Sequence, residues 1–131
     1  MKKRINFSSG TKWEKMAGYS RAVRLGNVVE VAGTTAVNEN GNVIGEGDAY
    51  RQTIYILNKI GYALNQTGSK LEDVVRTRIY VKNMGDWQDV VRAHGEVFKD
   101  ILPATTLVEV CALINPKLIV EIEAKAVVQD E

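Results

Sequence analysis

The sequence predicts an α+β fold, a mixed β-sheet with two helices on one face in the order β-β-α-β-α-β-β. Three observations carry the prediction. From Leu118 onward the chain alternates, with Leu118, Val120, Ile122, Ala124 and Ala126 on one side and Glu121, Glu123 and Lys125 on the other, the period of a strand with one buried face. Between Ala49 and Thr67 the apolar positions instead recur at helical spacing. Finally, two helices are too few to cover both faces of the sheet, so the helices form one layer and a partner subunit is the simplest cover for the other.

Residues 1 to about 18 are polar, with Trp13 and Met16 as the expected anchors onto the body. Two short strands, 19–25 and 28–34, flank Gly26-Asn27, a dipeptide suited to a two-residue hairpin because both residues tolerate positive φ. The cluster Asn38-Glu-Asn-Gly-Asn42 is a turn signal. A helix then runs over 49–67, with Ala49, Thr53, Ile56, Leu57, Ile60 and Leu64 on its buried stripe, Asp48 as N-cap and Gly68 just past its end. The run 74–82 reads as a strand with Val75, Thr77, Ile79 and Val81 inward and Arg76, Arg78, Tyr80 and Lys82 outward. Asp86 is expected to cap a second helix ending near Phe98. After Pro103, residues 105–113 are nearly all apolar or β-branched, the pattern of a strand buried on both faces. If the Arg76/Arg78 strand lies beside the Glu121/Glu123 strand, the opposite charges can pair across it.

A chain of 131 residues is expected to form one domain, 1–131. Its net charge of +1 supplies no general attraction to nucleic acid or to a membrane surface. The basic opening Met1-Lys-Lys-Arg4 has no apolar run behind it, and no stretch is long enough to span a bilayer, so the expected location is cytoplasmic. The single cysteine, Cys111, excludes an internal disulfide and sits in an apolar run, as an inert buried thiol would. No clustering of histidine and cysteine suggests a metal, and no glycine-rich phosphate loop suggests a nucleotide, so no cofactor is expected.

Four stretches carry a family resemblance: Gly18-Tyr19 with Val23-Arg-Leu-Gly-Asn-Val28; Ala32-Gly33; Leu71-Glu-Asp-Val-Val75 with Tyr80-Val-Lys-Asn83; and Pro103-Ala104 with Val108-Glu-Val110 and Val120-Glu-Ile-Glu-Ala124. In order and spacing, over nearly the whole chain, they resemble the YjgF/RidA family, also called endoribonuclease L-PSP or YER057c-like. The resemblance implies a chorismate-mutase-like subunit and a homotrimer with ligand clefts between subunits. For active members it further implies hydrolysis of 2-imino or enamine acids to 2-oxo acids and ammonia. Such chemistry needs a cation for the substrate carboxylate, best an arginine, and a carboxylate near the imine carbon to activate water.

Carried over by position, the resemblance makes Glu121 the water-orienting residue and Tyr19, Gly33 and Thr105 cleft residues. Active members have Pro-Ala-Arg-Ser where this chain has Pro103-Ala-Thr-Thr106, so Thr105 stands at the position of the carboxylate-binding arginine. The family's cysteine two places later corresponds to Leu107, and a helix asparagine corresponds to Arg92. This identifies a divergent branch. The first expectation is a trimer that binds a small metabolite, a carboxylic acid by its chemistry, without the standard deaminase activity. The alternative is an active deaminase using Glu121 and a relocated cation, Arg92 or Arg21; RNA cleavage ranks third. His94, the only histidine, is a candidate acid or base beside Arg92. Each candidate also has a plain structural use: a strand ion pair for Glu121, a solvated helix face for Arg92, a packed ring for His94, a surface or interface ion pair for Arg21, and a β-branched strand start for Thr105.

Overall fold

The computed structural model describes residues 3–129; Met1 and Lys2, the start of the basic opening, lie outside the described residues. From residue 22 onward the elements follow the expected order: β2 (Ala22–Leu25), β3 (Val28–Thr34), α2 (Ala49–Gln66), β4 (Val74–Val81), α3 (Trp87–Phe98), β5 (Ala104–Glu109) and β6 (Val120–Val127). Two short elements precede them, β1 (Arg4–Phe7) and α1 (Lys12–Ala17). The strands form one sheet in the order β1-β2-β3-β6-β4-β5, antiparallel except for the parallel β4–β5 pair.

The hairpin forms where expected, with Gly26 at φ 62° between β2 and β3. Helix α2 begins at Asp48, whose carboxylate accepts from the Arg51 N–H at 3.0 Å. Its predicted stripe is the core: Ile56, Ile60 and Leu64 are fully buried, with Ala49, Thr53 and Leu57 beside them. The stripe packs on β3 and β6, whose Val120, Ile122, Ala124 and Ala126 are the inward set. Truncating a residue so placed, such as Ile60→Ala, removes apolar contact and leaves a cavity, at a typical cost of about 2–5 kcal/mol.

Gln52 is a buried polar member of this helix. Its Nε2 donates to the Lys117 carbonyl at 3.0 Å and its Oε1 accepts from the Ile119 N–H at 2.8 Å. One side chain thus satisfies two backbone groups and fixes the loop that delivers β6. Gln52→Ala leaves both without that partner, so a loss of about 2 kcal/mol or more is expected in urea unfolding.

Several local expectations fail for identifiable reasons. The 105–113 run is not a strand buried on both faces: β5 ends at Glu109 and forms the sheet's exposed edge, because β4 separates it from β6. Cys111 falls in the loop beyond β5 and is exposed. A register shift between Val74 and Arg76 turns Val74 inward and leaves Val75 exposed, which offsets the simple alternation. β4 and β6 are neighbours, with Arg78 opposite Glu123, but the Glu123 carboxylate accepts from Tyr80 Oη at 2.6 Å and not from an arginine. Asp86 gives α3 no side-chain cap; Asn83 instead caps the preceding short turn through the Gly85 N–H. Trp13 and Met16 are exposed on α1, where the buried residue is Glu14.

Candidate functional site

A register shift in the β3–β6 ladder creates the candidate site. Val31 pairs with Ala124 and Thr34 with Ile122, so β3 carries one residue more than β6 over this stretch. Gly33 lies in the bulge. A Cβ there would overlap Glu121 Oε2, so the absence of a side chain admits the Glu121 carboxylate. The bulge also turns the Gly33 carbonyl towards Arg21, whose Nη1 donates to it at 2.6 Å.

Arg21 is almost fully buried and held from several sides. Nη1 also lies 3.4 Å from Thr34 Oγ1, Nη2 donates to Tyr19 Oη at 3.3 Å, and Nε stands 3.7 Å from Glu14 Oε2. Glu14 in turn accepts hydrogen bonds from the hydroxyls of Ser8, Ser9 and Thr11 and from the Ser9 N–H. Burial pushes the Glu14 carboxyl up, and those hydrogen bonds outweigh burial to hold it below 4.5. Arg21 therefore has a charged, fixed counter-ion. Its second Nη2 N–H has no partner among the described residues.

Tyr19, Arg21, Gly33 and Glu121 line one cavity of about 480 Å³, with Lys59 of α2 and the apolar Trp13, Met16, Val37 and Ile114. Burial raises the Glu121 pKa above 4.5, nearby Glu123 adds to the rise, and Arg21 opposes it. A carboxyl so poised exchanges protons closer to neutrality than a solvated one. Because Oε2 is the flexible end of a side chain, Gly33→Ala is expected to displace the carboxylate at little cost in stability. A fall in ligand binding or turnover with an unchanged Tm is the expected pair of readings.

His94 and Thr105 are not in this cavity. They line a separate groove of about 310 Å³ between α3 and β5, with Phe98 and Leu107. His94 Nε2 and Thr77 Oγ1 are 2.9 Å apart, and Thr77 Oγ1 and Thr105 Oγ1 are 2.8 Å apart. The division follows from the pleat. Glu121 alternates with Val120 and Ile122, which face the helices, whereas Thr77 and its bonded neighbour Thr105 are on the helix side. Burial lowers the His94 pKa below 6.5, so the fold favours the neutral ring. That contribution to stability is complete above about pH 6.5 and declines as pH falls below it. His94→Gln should flatten this part of the stability profile in urea titrations.

Arg92 lines neither cavity. Its guanidinium lies 4.0 Å from the Tyr50 ring centroid and 3.5 Å from Asp89 Oδ1, on the exposed face of α3. Within one chain Arg92 therefore joins neither the Arg21–Glu121 cavity nor the His94–Thr105 groove. Two residues at the site escaped the sequence reading. Lys59 sits between Ile56 and Ile60 on the edge of the buried stripe, a position where a charge needs partners. Glu14 completes Thr11-Lys-Trp-Glu14, a helix-start signature, with Ser8 and Ser9 just ahead of it.

The family model described as Endoribonuclease L-PSP matches residues 10–128. Among solved structures, Rv2704 of Mycobacterium tuberculosis, described as a member of the YjgF/YER057c/UK114 family, is 48% identical. The likeness covers 96% of this chain and 100% of that one, with a TM-score of 0.87. The 3-aminoacrylate deaminase RutC of Acinetobacter baylyi is 32% identical over 126 residues, 96% of this chain and 98% of that protein. An uncharacterized Streptomyces coelicolor protein, SCO2049, is 39% identical over 118 residues, 90% of this chain and 87% of its own length. No helix among the described residues is long and apolar enough to cross a membrane.

Proposed function

This chain belongs to the Endoribonuclease L-PSP, or YjgF/RidA, family, and from that premise we propose that it is a hydrolytic deaminase of a small imino or enamine carboxylic acid. The observation that carries the reading is the convergence of Arg21 and Glu121 on one cavity. It favours the relocated-cation alternative over a trimer that only binds. The free Nη2 N–H of Arg21 holds the substrate carboxylate in place of the family arginine that Thr105 replaces. Glu121 takes a proton from water as the water oxygen attacks the imine carbon and returns it to the nitrogen, giving a carbinolamine. It then relays the hydroxyl proton to that nitrogen, and the C–N bond breaks to leave the 2-oxo acid and ammonia. An enamine substrate first accepts a proton at carbon from the same carboxyl. The 32% identity to a 3-aminoacrylate deaminase supports this substrate class.

The working assembly in this reading is a homotrimer, with the His94/Thr105 groove of one copy facing the Glu121 cavity of the next. Exposed Trp13, Met16 and Ile114 at the cavity provide apolar surface for such a contact. Light scattering should give three times the chain mass.

The test is imine hydrolysis. An amino-acid oxidase generates 2-imino acids in the presence of a trapping amine, and the wild type is compared with Glu121→Ala and Thr105→Arg. Acceleration by the wild type, lost in Glu121→Ala, supports the reading. An inactive wild type that Thr105→Arg activates would overturn it and leave a binder that lacks only the family arginine.

A further inference from the structure

Lys59 lines the cavity but has no part in the reaction just described. Its Nζ donates to the Thr35 carbonyl at 2.9 Å and to the Val37 carbonyl at 2.8 Å. A neutral amine has two N–H bonds, and here both have acceptors. The remaining tetrahedral position then carries the lone pair, which electrostatic repulsion keeps away from the two carbonyl oxygens. The groups facing this amine are the Arg21 guanidinium and Glu14, with the Tyr55 ring centroid at 5.9 Å and Glu121 across the same cavity.

Burial and then the Arg21 charge lower the Lys59 pKa to about 8, against an opposing pull from Glu14. Roughly a tenth of the amine is therefore neutral at pH 7. Desolvation and an adjacent cation are the two devices by which proteins activate a lysine towards carbonyl carbon.

We propose that Lys59 forms an imine with the carbonyl of a 2-oxo acid whose carboxylate is held by Arg21. This rests on the reading of the cavity as a carboxylate site. The Nζ lone pair attacks the carbonyl carbon and forms the C–N bond, while the carbonyl oxygen takes a proton from the Glu121 carboxyl. Nζ then gives a proton to the Glu121 carboxylate. That proton returns to the hydroxyl, which leaves as water, and the C=N bond remains. The nitrogen's last proton passes to Glu121. Nothing is oxidised or reduced. With a 2-imino acid the same attack expels ammonia in place of water.

The experiment incubates the full chain with 2-oxobutyrate and sodium borohydride at pH 8, followed by intact-mass analysis and peptide mapping. Borohydride adds hydride to the imine carbon and fixes the link as a secondary amine. The expected result is a single adduct on Lys59, at least tenfold above the exposed Lys12 and Lys15, and absent from Lys59→Arg. That variant retains donors for the loop carbonyls, and circular dichroism checks its fold. Labelling spread evenly over the lysines, or undiminished in Lys59→Arg, overturns the inference. Imine hydrolysis without Lys59 labelling removes this step and leaves the proposed reaction standing. Labelling of Lys59 without hydrolysis supports the carbonyl chemistry and removes the deaminase.

Discussion

Glu121→Gln is expected to slow imine hydrolysis by about two to four orders of magnitude, the range ascribed to a positioned acid–base group, while making the protein more stable at neutral pH. The two effects have one cause. Burial and the nearby Glu123 raise the Glu121 pKa in the fold, with Arg21 opposing them, so the folded state holds its proton to higher pH than the unfolded state does. Stability from this group is fully present below about pH 4.5 and is lost as pH rises through the folded value. Above that range the ionisation of Glu121 works against the fold, and a neutral amide of nearly the same shape removes the penalty. Thermal unfolding of both proteins from pH 4 to 8 tests this directly. The difference in Tm should open as pH rises. Equal Tm values across the range would mean that Glu121 is well solvated in both states and lacks the environment assigned to it.

Arg21→Met should have the opposite balance, with both function and stability lost. The guanidinium donates to the Gly33 carbonyl and neutralises Glu14, which its own hydroxyl donors keep ionised. Removing one partner of a buried pair leaves the other uncompensated, a loss of about 3–5 kcal/mol in comparable cases. Glu14→Gln in the same background should recover part of that loss, a coupling that urea unfolding of the four proteins of the cycle measures. Glu14 also sets a direction in pH. Its lowered pKa contributes stability above about pH 4.5 that disappears as pH falls through the folded value, and Glu14→Gln should blunt this acid sensitivity. In the Glu14→Gln protein alone, Arg21 keeps its bonds to Gly33 and Tyr19, so activity should fall less than in Arg21→Met.

The parts of the fold legible in the sequence are those in which one strong period acts alone. Helix α2 and strand β6 bury the residues their spacing selects, because a 3.6-residue or two-residue repeat leaves little choice of face. The hairpin at Gly26-Asn27 is equally local. Position in the sheet is not local, and β5 differs from expectation for that reason: its apolar residues fit a central strand, but only the pairing order shows that it lies at an edge. The site was legible in part for the same reason. Tyr19, Gly33 and Glu121 follow from family position and Arg21 from its place beside the expected cleft, and these four line one cavity. Lys59 comes from a helix whose charge pattern gives no sign of the loop carbonyls that hold it. That Arg92 packs on the Tyr50 ring, one helix away, could not be read from the spacing of its own helix.

The β3 bulge implies a further property of the fold. One backbone residue, Gly33, sets the separation of cation and acid, since its carbonyl fixes Arg21 and its bare Cα seats Glu121. Shortening β3 by a residue would restore an unbroken ladder with β6 and reverse which face every residue beyond the deletion presents. The smoother sheet would be the better folding unit and would have no cleft. A change in the length of β3 therefore moves cation and acid together, whereas a change in the loop at 35–37 alters the cavity wall and leaves the bulge intact.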